Sequence, residues 1–457
     1  MSEERYDLVV LGGGSGGYAA ALRAAQLGMS VAIVERDKLG GTCLHRGCVP
    51  TKALLHAAEL ADGAKDAQKY GVLAEFRGID IAGVTRYREG VVAGKYKGLQ
   101  SLVSARGITV VTGEGRLTAP GTVVVGEHVL HGGTVVVATG SSSRTLPGIE
   151  IGGRVITSDQ ALELDHVPDR VVVLGGGVIG VEFASVWRSF GAEVTIVEAL
   201  PHLVPNEDES MSKQLERAFR KRGIAFTLGS RVSSVSQTDA GVTVSLESGA
   251  SVEGDILLVA VGRGPVTAGI GLEEIGVRLD RGYVVTDERL QTSVPNVYAV
   301  GDIVPGLQLA HRSFQQGIFV AEEIAGLGPQ TVADLNVPKV TYSDPEVASV
   351  GLTEARAIAE YGAERIASYD YGLAGNARST IIGTAGSVKV VRVVDGPVVG
   401  VHMIGARVGE LIGEAQLIVN WEAHPEDVAP FVHAHPTQNE ALGEAHLALA
   451  GKPLHAL

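Results

Sequence analysis

Cysteine occurs only twice in this 457-residue chain, at Cys43 and Cys48 within the run Gly40 to Lys52, GGTCLHRGCVPTK. Four intervening residues allow a small-loop disulfide, and a helix starting at the second cysteine would favour its thiolate through the positive end of the helix dipole. So short a loop constrains the unfolded chain little, which makes a purely stabilising bridge a poor use of it. A secreted disulfide framework would carry more cysteines, spread along the chain. The pair reads as redox chemistry. A second cluster, His433 to Glu440 (HAHPTQNE), holds His433, His435 and Glu440. No cysteine or further histidine cluster completes a zinc pattern around it, so no metal is expected. Taken alone, the segment is a solvated His–Pro turn.

Two glycine-rich turns must position this chemistry. Tyr6 to Leu11 is a short apolar run, followed by Gly12 to Gly17 (GGGSGG), an Ala-rich stretch Tyr18 to Leu27 and a second run Val31 to Val34. Strand, glycine turn, helix, strand makes one βαβ unit. Gly12 allows the tight turn, Gly14 lets a pyrophosphate approach the backbone, and Gly17 lets helix and strand pack closely. The helix start offers free N–H groups to phosphate. Glu35 lies 21 residues beyond Gly14, where an acid accepts hydrogen bonds from ribose hydroxyls.

The same grammar returns at Arg170 to Leu174, Gly175 to Gly180, Val181 to Phe190 and Glu193 to Val197, with Gly175, Gly177 and Gly180 in the fingerprint positions. Glu198 again stands 21 residues past the middle glycine. A carboxylate there hydrogen-bonds a ribose 2′-hydroxyl and repels a 2′-phosphate, so the second site is expected to take NAD rather than NADP. Two copies, each with its acid, predict two nucleotide-binding domains. Thr51 to about Lys69 predicts a long helix; Thr134 to Gly140, Asp255 to Gly262 and Asn296 to Asp302 predict strands. From about Val337 the pattern becomes mixed, which predicts a final α+β domain.

Composition sets the outer limits. Hydrophobic residues make up 45% and charged residues 20%, the balance of a chain able to bury large cores. A formal charge of −14 argues against broad nucleic-acid binding, which needs clustered cations. No run of about 18 apolar residues predicts a membrane span, and the short charged start lacks a secretory pattern, so a cytoplasmic protein is expected.

The segment around the cysteines resembles the active-disulfide segment of the pyridine nucleotide–disulfide oxidoreductases, and the resemblance runs along essentially the whole chain. It implies an α/β fold with two Rossmann-like domains, for FAD and NAD(P), plus a C-terminal α+β dimerisation domain. The implied boundaries are 1–146 and 268–335 for the FAD domain, 147–267 for the NAD domain and 336–457 for the interface domain. Ala138 to Ser141 (with Thr139 and Gly140), Gly301, Asp302 and Ala310 look like later FAD-contacting positions. Lys52 and Glu182 match a pair that the family places beside the flavin, and Gly262 and Arg263 match the end of the NAD domain. His435 and Glu440 match the family's acid–base pair, contributed by the partner subunit, so a homodimer is implied. Cys43 is implied to be the solvent-side sulfur and Cys48 the flavin-side one.

Within the family the cysteine count removes the mercuric reductases and large thioredoxin reductases, which need a further redox pair. Glutathione reductases carry Arg where this chain has Glu198. The resemblance thus points to the NAD-linked branch that reoxidises lipoyl groups on the acyltransferases of 2-oxo-acid dehydrogenase complexes or on the H-type protein of glycine cleavage. The alternatives are an NAD(P)H-dependent reductase of another disulfide and an FAD-binding redox sensor without turnover. The chain departs from the family at His45, usually Asn, at Phe314, Gln315 and Gln316, usually acidic, and at Gly264-Pro265-Val266, which lacks the common Asn.

Overall fold

A computed structural model describes residues 2–456, which form two compact units. The first takes in residues 2–54, Asp80–Arg144 and Gly262–Asp334. Its seven-stranded sheet runs Thr109–Thr112, Val31–Glu35, Ser2–Leu11, His128–Val137, Thr122–Val125, Arg116–Ala119, with Val297–Ala299 also paired to His128–Val137. The strands around Ser2–Leu11 are parallel, and the last two of the order are antiparallel. Leu8 and Val10 pack on one face with Ala20, Ala24 and Phe319, while Val9 and Leu11 pack on the other with Leu117, Val123 and Val135. Burial on both faces explains why the central strand reads as an unbroken apolar run.

That strand begins at Ser2, earlier than the apolar run starting at Tyr6 predicts, because Ser2 to Tyr6 continue the ladder opposite His128 to Gly132. A backbone ladder needs no apolar side chain, so this extension carries no hydrophobic signal. The helices Ser15–Gln26 and Ala310–Ile324 meet at backbone distance: a Cβ on Gly317 would lie 2.3 Å from the Gly16 carbonyl oxygen. The predicted long helix is present as Cys48–Asp66 and starts at the second cysteine itself.

The second unit comprises Leu55–Ile79, Thr145–Val261 and residues 335–456. It holds a parallel five-stranded sheet in the order Ile224–Thr227, Glu193–Val197, Arg170–Leu174, Ile256–Val259, Val155–Ile156. An antiparallel meander, Val232–Gln237, Val242–Leu246 and Ser251–Gly254, shares a core with it through Val244, Leu246, Val172 and Leu257. The C-terminal part is an antiparallel five-stranded sheet whose Val388, Val390, Val401 and Met403 are covered by the helices Val408–Asn420 and Glu440–Leu449. Two Rossmann-like βαβ units followed by an α+β segment are the architecture predicted from the sequence. Among the described residues no helix is long and apolar enough to cross a membrane.

Candidate active site

Both glycine turns are built on one template. A Cβ on Gly12 would lie 2.3 Å from the Ala138 carbonyl oxygen, and one on Gly175 would lie 2.4 Å from that of Ala260. A Cβ on Gly17 would approach the Gly12 oxygen to 1.9 Å, as would one on Gly180 the Gly175 oxygen. The first and third glycines are therefore demanded by protein packing. The middle glycines are not: a Cβ on Gly177 meets nothing within 4 Å, and one on Gly14 meets only Gly41 Cα at 4.0 Å. Each turn thus leaves a cradle at a helix start that a side chain would begin to fill, the fit a pyrophosphate requires.

The two acids do more than spacing predicted. Glu35 accepts hydrogen bonds from the Gly13 N–H at 2.7 Å and the Asp37 N–H at 2.9 Å. Glu198 does the same with Gly176 at 2.6 Å and Leu200 at 2.7 Å. Each carboxylate pins its glycine turn to the end of its second strand. Ionised carboxylate oxygens have about four acceptor positions, so room remains for ribose hydroxyls.

After Glu35 the chain turns at Gly40 and Gly41, both at positive φ, into the short helix Gly41–His45. Cys43 lies on that helix and Cys48 on the first residue of the next, so the second thiol sits at the positive end of a 19-residue helix. The two share a hydrogen bond, which together with burial and the charge of Cys48 pushes the Cys43 thiol up; Ser15 and Lys52 pull it down. Tyr18 flanks both sulfurs and is pushed up to about 12 by burial, then by Cys43 and Cys48. Cys43 is half-buried and Cys48 exposed in the polypeptide. His45 anchors the segment: its Nε2 bonds the Leu39 carbonyl at 2.8 Å, and its ring stands edge-on to Tyr96 at 5.0 Å.

Thr139, Gly140 and Ser141 are stitched to the strand Arg263–Pro265. The Thr139 hydroxyl donates to the Val266 carbonyl at 2.6 Å, and Ser141 donates to Asp302 Oδ2 at 2.5 Å. Arg263 donates to the Ser141 hydroxyl and carbonyl at 2.8 and 2.7 Å, so it and Gly262 lie in the first unit with Asp302. Ala310 opens the helix Ala310–Ile324. Glu182, buried on the helix Val178–Phe190 of the second unit, accepts from the Tyr342 N–H at 2.9 Å.

His435 and Glu440 meet in the second unit, with Nδ1 2.9 Å from Oε1, while the Thr437 N–H donates to Oε2 at 2.8 Å. Burial acts to raise Glu440, but Thr437, His435 and His433 outweigh it and hold the carboxyl below its ordinary range. The carboxylate occupies Nδ1 and leaves Nε2 outward on a ring whose side chain is 72% exposed. That arrangement suits proton exchange with an incoming group.

Residues 6–317 match the family model described as pyridine nucleotide-disulphide oxidoreductase. The chain belongs to this family. Residues 337–446 match its dimerisation domain. A dihydrolipoyl dehydrogenase of Bacillus subtilis is 40% identical over 98% of this chain and 99% of its own length. A leghemoglobin reductase of Glycine max is 38% identical, over 98% and 88%. Among solved structures, LpdA of Mycobacterium tuberculosis superposes with a TM-score of 0.90 at 29% identity, covering 97% of this chain and 99% of that one. The HOCl-induced flavoprotein disulfide reductase RclA of Escherichia coli does so with a TM-score of 0.88 at 28% identity, over 97% and 99%.

Several residues in this oxidoreductase were not singled out from the sequence. Gln316, noted only as a departure, is buried and accepts the Gly301 N–H at 2.8 Å, holding the Gly301–Asp302 turn. Phe314 packs against Tyr18 with ring centroids 5.5 Å apart. Tyr18 and Glu414 carry no motif, and only the fold brings them to their partners.

Proposed function

We propose that the chain is an FAD-dependent dihydrolipoyl dehydrogenase that oxidises dihydrolipoyl groups and reduces NAD⁺. The observation that carries this reading is the coexistence of a thiol pair at a helix start and an exposed His435–Glu440 pair in a chain matching the Bacillus subtilis enzyme along nearly its whole length. The first glycine cradle, Glu35, Ser141 and Asp302 would hold the FAD; the second cradle and Glu198 would hold the NAD. When bound, flavin and nicotinamide supply the hydride transfer, while the protein supplies position and electrostatics.

The thiol chemistry belongs to the chain. His435 Nε2 takes a proton from a substrate thiol, and the Glu440 carboxylate stabilises the imidazolium. The substrate thiolate attacks the Cys43 sulfur of an oxidised Cys43–Cys48 pair, and Cys48 leaves as a thiolate that the helix start stabilises. The second substrate thiol then displaces Cys43 and closes the substrate disulfide. Cys48, exposed in the polypeptide, is the sulfur that a flavin would cover, and Lys52 follows it on the same helix.

The matched dimerisation domain supports a homodimer in which His435 of one subunit serves Cys43 of the other, as do the exposed Trp421, Phe431 and Val432. In this reading 1–146 and 268–335 form the FAD domain, 147–267 the NAD domain and 336–457 the interface domain. The protein works in the cytoplasm with a lipoylated acyltransferase or a glycine-cleavage H-type protein. A second reading, reduction of another acceptor, draws on the leghemoglobin reductase relatives.

Anaerobic NADH formation from dihydrolipoamide separates the two. Turnover is expected with NAD⁺ and not NADP⁺, and Cys43→Ser and Cys48→Ser should retain flavin but lose turnover. A flavin-loaded wild type silent with both nucleotides refutes the lipoyl assignment.

A further inference from the structure

The acid–base segment carries a second histidine that this proton chemistry does not use. The His433 side chain is 11% exposed, against 72% for His435. His433 Nε2 lies 2.9 Å from Glu414 Oε1, and the other Glu414 oxygen accepts from Asn439 Nδ2. Glu414 stands on the helix Val408–Asn420, so a carboxylate from outside the segment grips it two residues before His435 and one residue before Glu440. A further tie comes from buried Asn376, whose Nδ2 donates to the Thr437 carbonyl at 2.9 Å while its Oδ1 caps the helix Ala377–Ile382. His433 is also packed from behind, since a Cβ on Gly443 would lie 2.6 Å from its Nδ1.

On the thiol–disulfide reading above, we propose that Glu414, acting through His433 and Asn439, is a positioning residue that sets the geometry of the His435–Glu440 pair for proton transfer with substrate thiols.

The charges support the clamp. The bond to Glu414 raises His433 against burial, helped by the Phe431 carbonyl and by Glu440. The same bond, against burial, and Asn439 hold Glu414 below the usual carboxylate range. His446, the other titratable group facing them from the helix Glu440–Leu449, is kept neutral by burial, which lowers it to about 4. Glu414 and Glu440 therefore both favour the cationic form of His433, and its charge in turn favours the ionised Glu440. Loss of Glu414 removes the partner of His433 and frees both flanks of the segment. Misplacement by about 1 Å costs up to roughly 100-fold in rate.

The test uses the flavin-loaded enzyme with Glu414→Gln, Asn439→Ala and, as reference, His435→Gln. Glu414→Gln is expected to lower kcat for dihydrolipoamide by about 10- to 100-fold with KM little changed. Its solvent deuterium isotope effect on kcat should rise, because proton transfer becomes limiting. The NADH–ferricyanide rate, which needs no substrate thiol, should fall far less. Asn439→Ala, which removes one arm, should move the same quantities by less. Wild-type kcat and isotope effect in both clamp variants, with His435→Gln silent, would overturn the clamp and leave the function standing. Equal loss of both rates with a lower melting temperature would show a structural role only and also overturn it. Full turnover by His435→Gln would remove the acid–base reading and the clamp with it.

Discussion

The first and second glycine turns share a frame almost atom for atom, and they diverge beyond the second strand of each unit. In each, the acid grips the N–H of the glycine between the first two fingerprint glycines, and the returning chain donates to that glycine's carbonyl at 2.8 Å, from Gly40 in one and Val204 in the other. There the likeness ends. After Gly40 the chain passes Gly41, whose added Cβ would be 2.8 Å from Gly14 Cα, and runs into the helix bearing Cys43. In the second turn buried Leu203 and Val204 take the places of Leu39 and Gly40, Pro205 follows where the first has Gly41, and the chain proceeds to Asp208, which caps the helix Glu209–Arg222. A common cradle is thus given redox chemistry in one copy, where glycines let a thiol segment fold back beside it, and only an ordinary helix in the other.

The largest effects should come from the third glycines. Gly17→Ala and Gly180→Ala each drive a Cβ to 1.9 Å from a backbone oxygen that cannot retreat. Gly17→Ala is expected to yield protein without flavin, and Gly180→Ala a flavoprotein with no measurable NADH formation. Flavin content by absorbance checks this; flavin lost from Gly180→Ala would show that the two frames are not autonomous. Gly177→Ala, with open space ahead and φ of −75°, should fold normally and only raise the KM for NAD⁺.

Next come the acids. Glu198→Gln leaves an N–H facing an amide nitrogen and should raise the KM for NAD⁺ by about 10- to 100-fold, the worth of a hydrogen bond to a charged group. Glu35→Gln should weaken flavin retention instead, measurable by dialysis. A Glu198 variant with unaltered KM would sever the comparison at its acid.

The smallest effect serves as a control outside both turns. Burial raises Glu346 from its ordinary range to about 6, although the Gly409 N–H opposes this. The folded state therefore binds this proton more tightly than the unfolded chain. The associated stability is complete at low pH and is lost as pH rises through about 6. Glu346→Gln should raise the melting temperature above pH 6 by a few degrees, gain nothing near pH 4, and leave both nucleotide affinities alone. Thermal melts across that range decide it.

Whatever is encoded within a few dozen residues was legible from the residue order. The two glycine turns, their acids and the thiol pair at a helix start are short-range patterns, because a helix start or a tight turn constrains residue types locally, whereas the His435–Glu440 pair was legible only through the family resemblance. The parallel strands were legible for the same reason, since burial on both faces writes a continuous apolar run. The supports were set by tertiary structure. Arg263 reaches Ser141, Ser141 reaches Asp302, Gln316 holds Gly301, and Glu414 clamps His433 and Asn439. Each is a polar side chain of ordinary type whose partner lies 15 to 161 residues away in the chain. Nothing in local spacing marks such a residue. Burial of its partner's polar group does, because a buried donor or acceptor left unpaired costs more than the bond itself contributes.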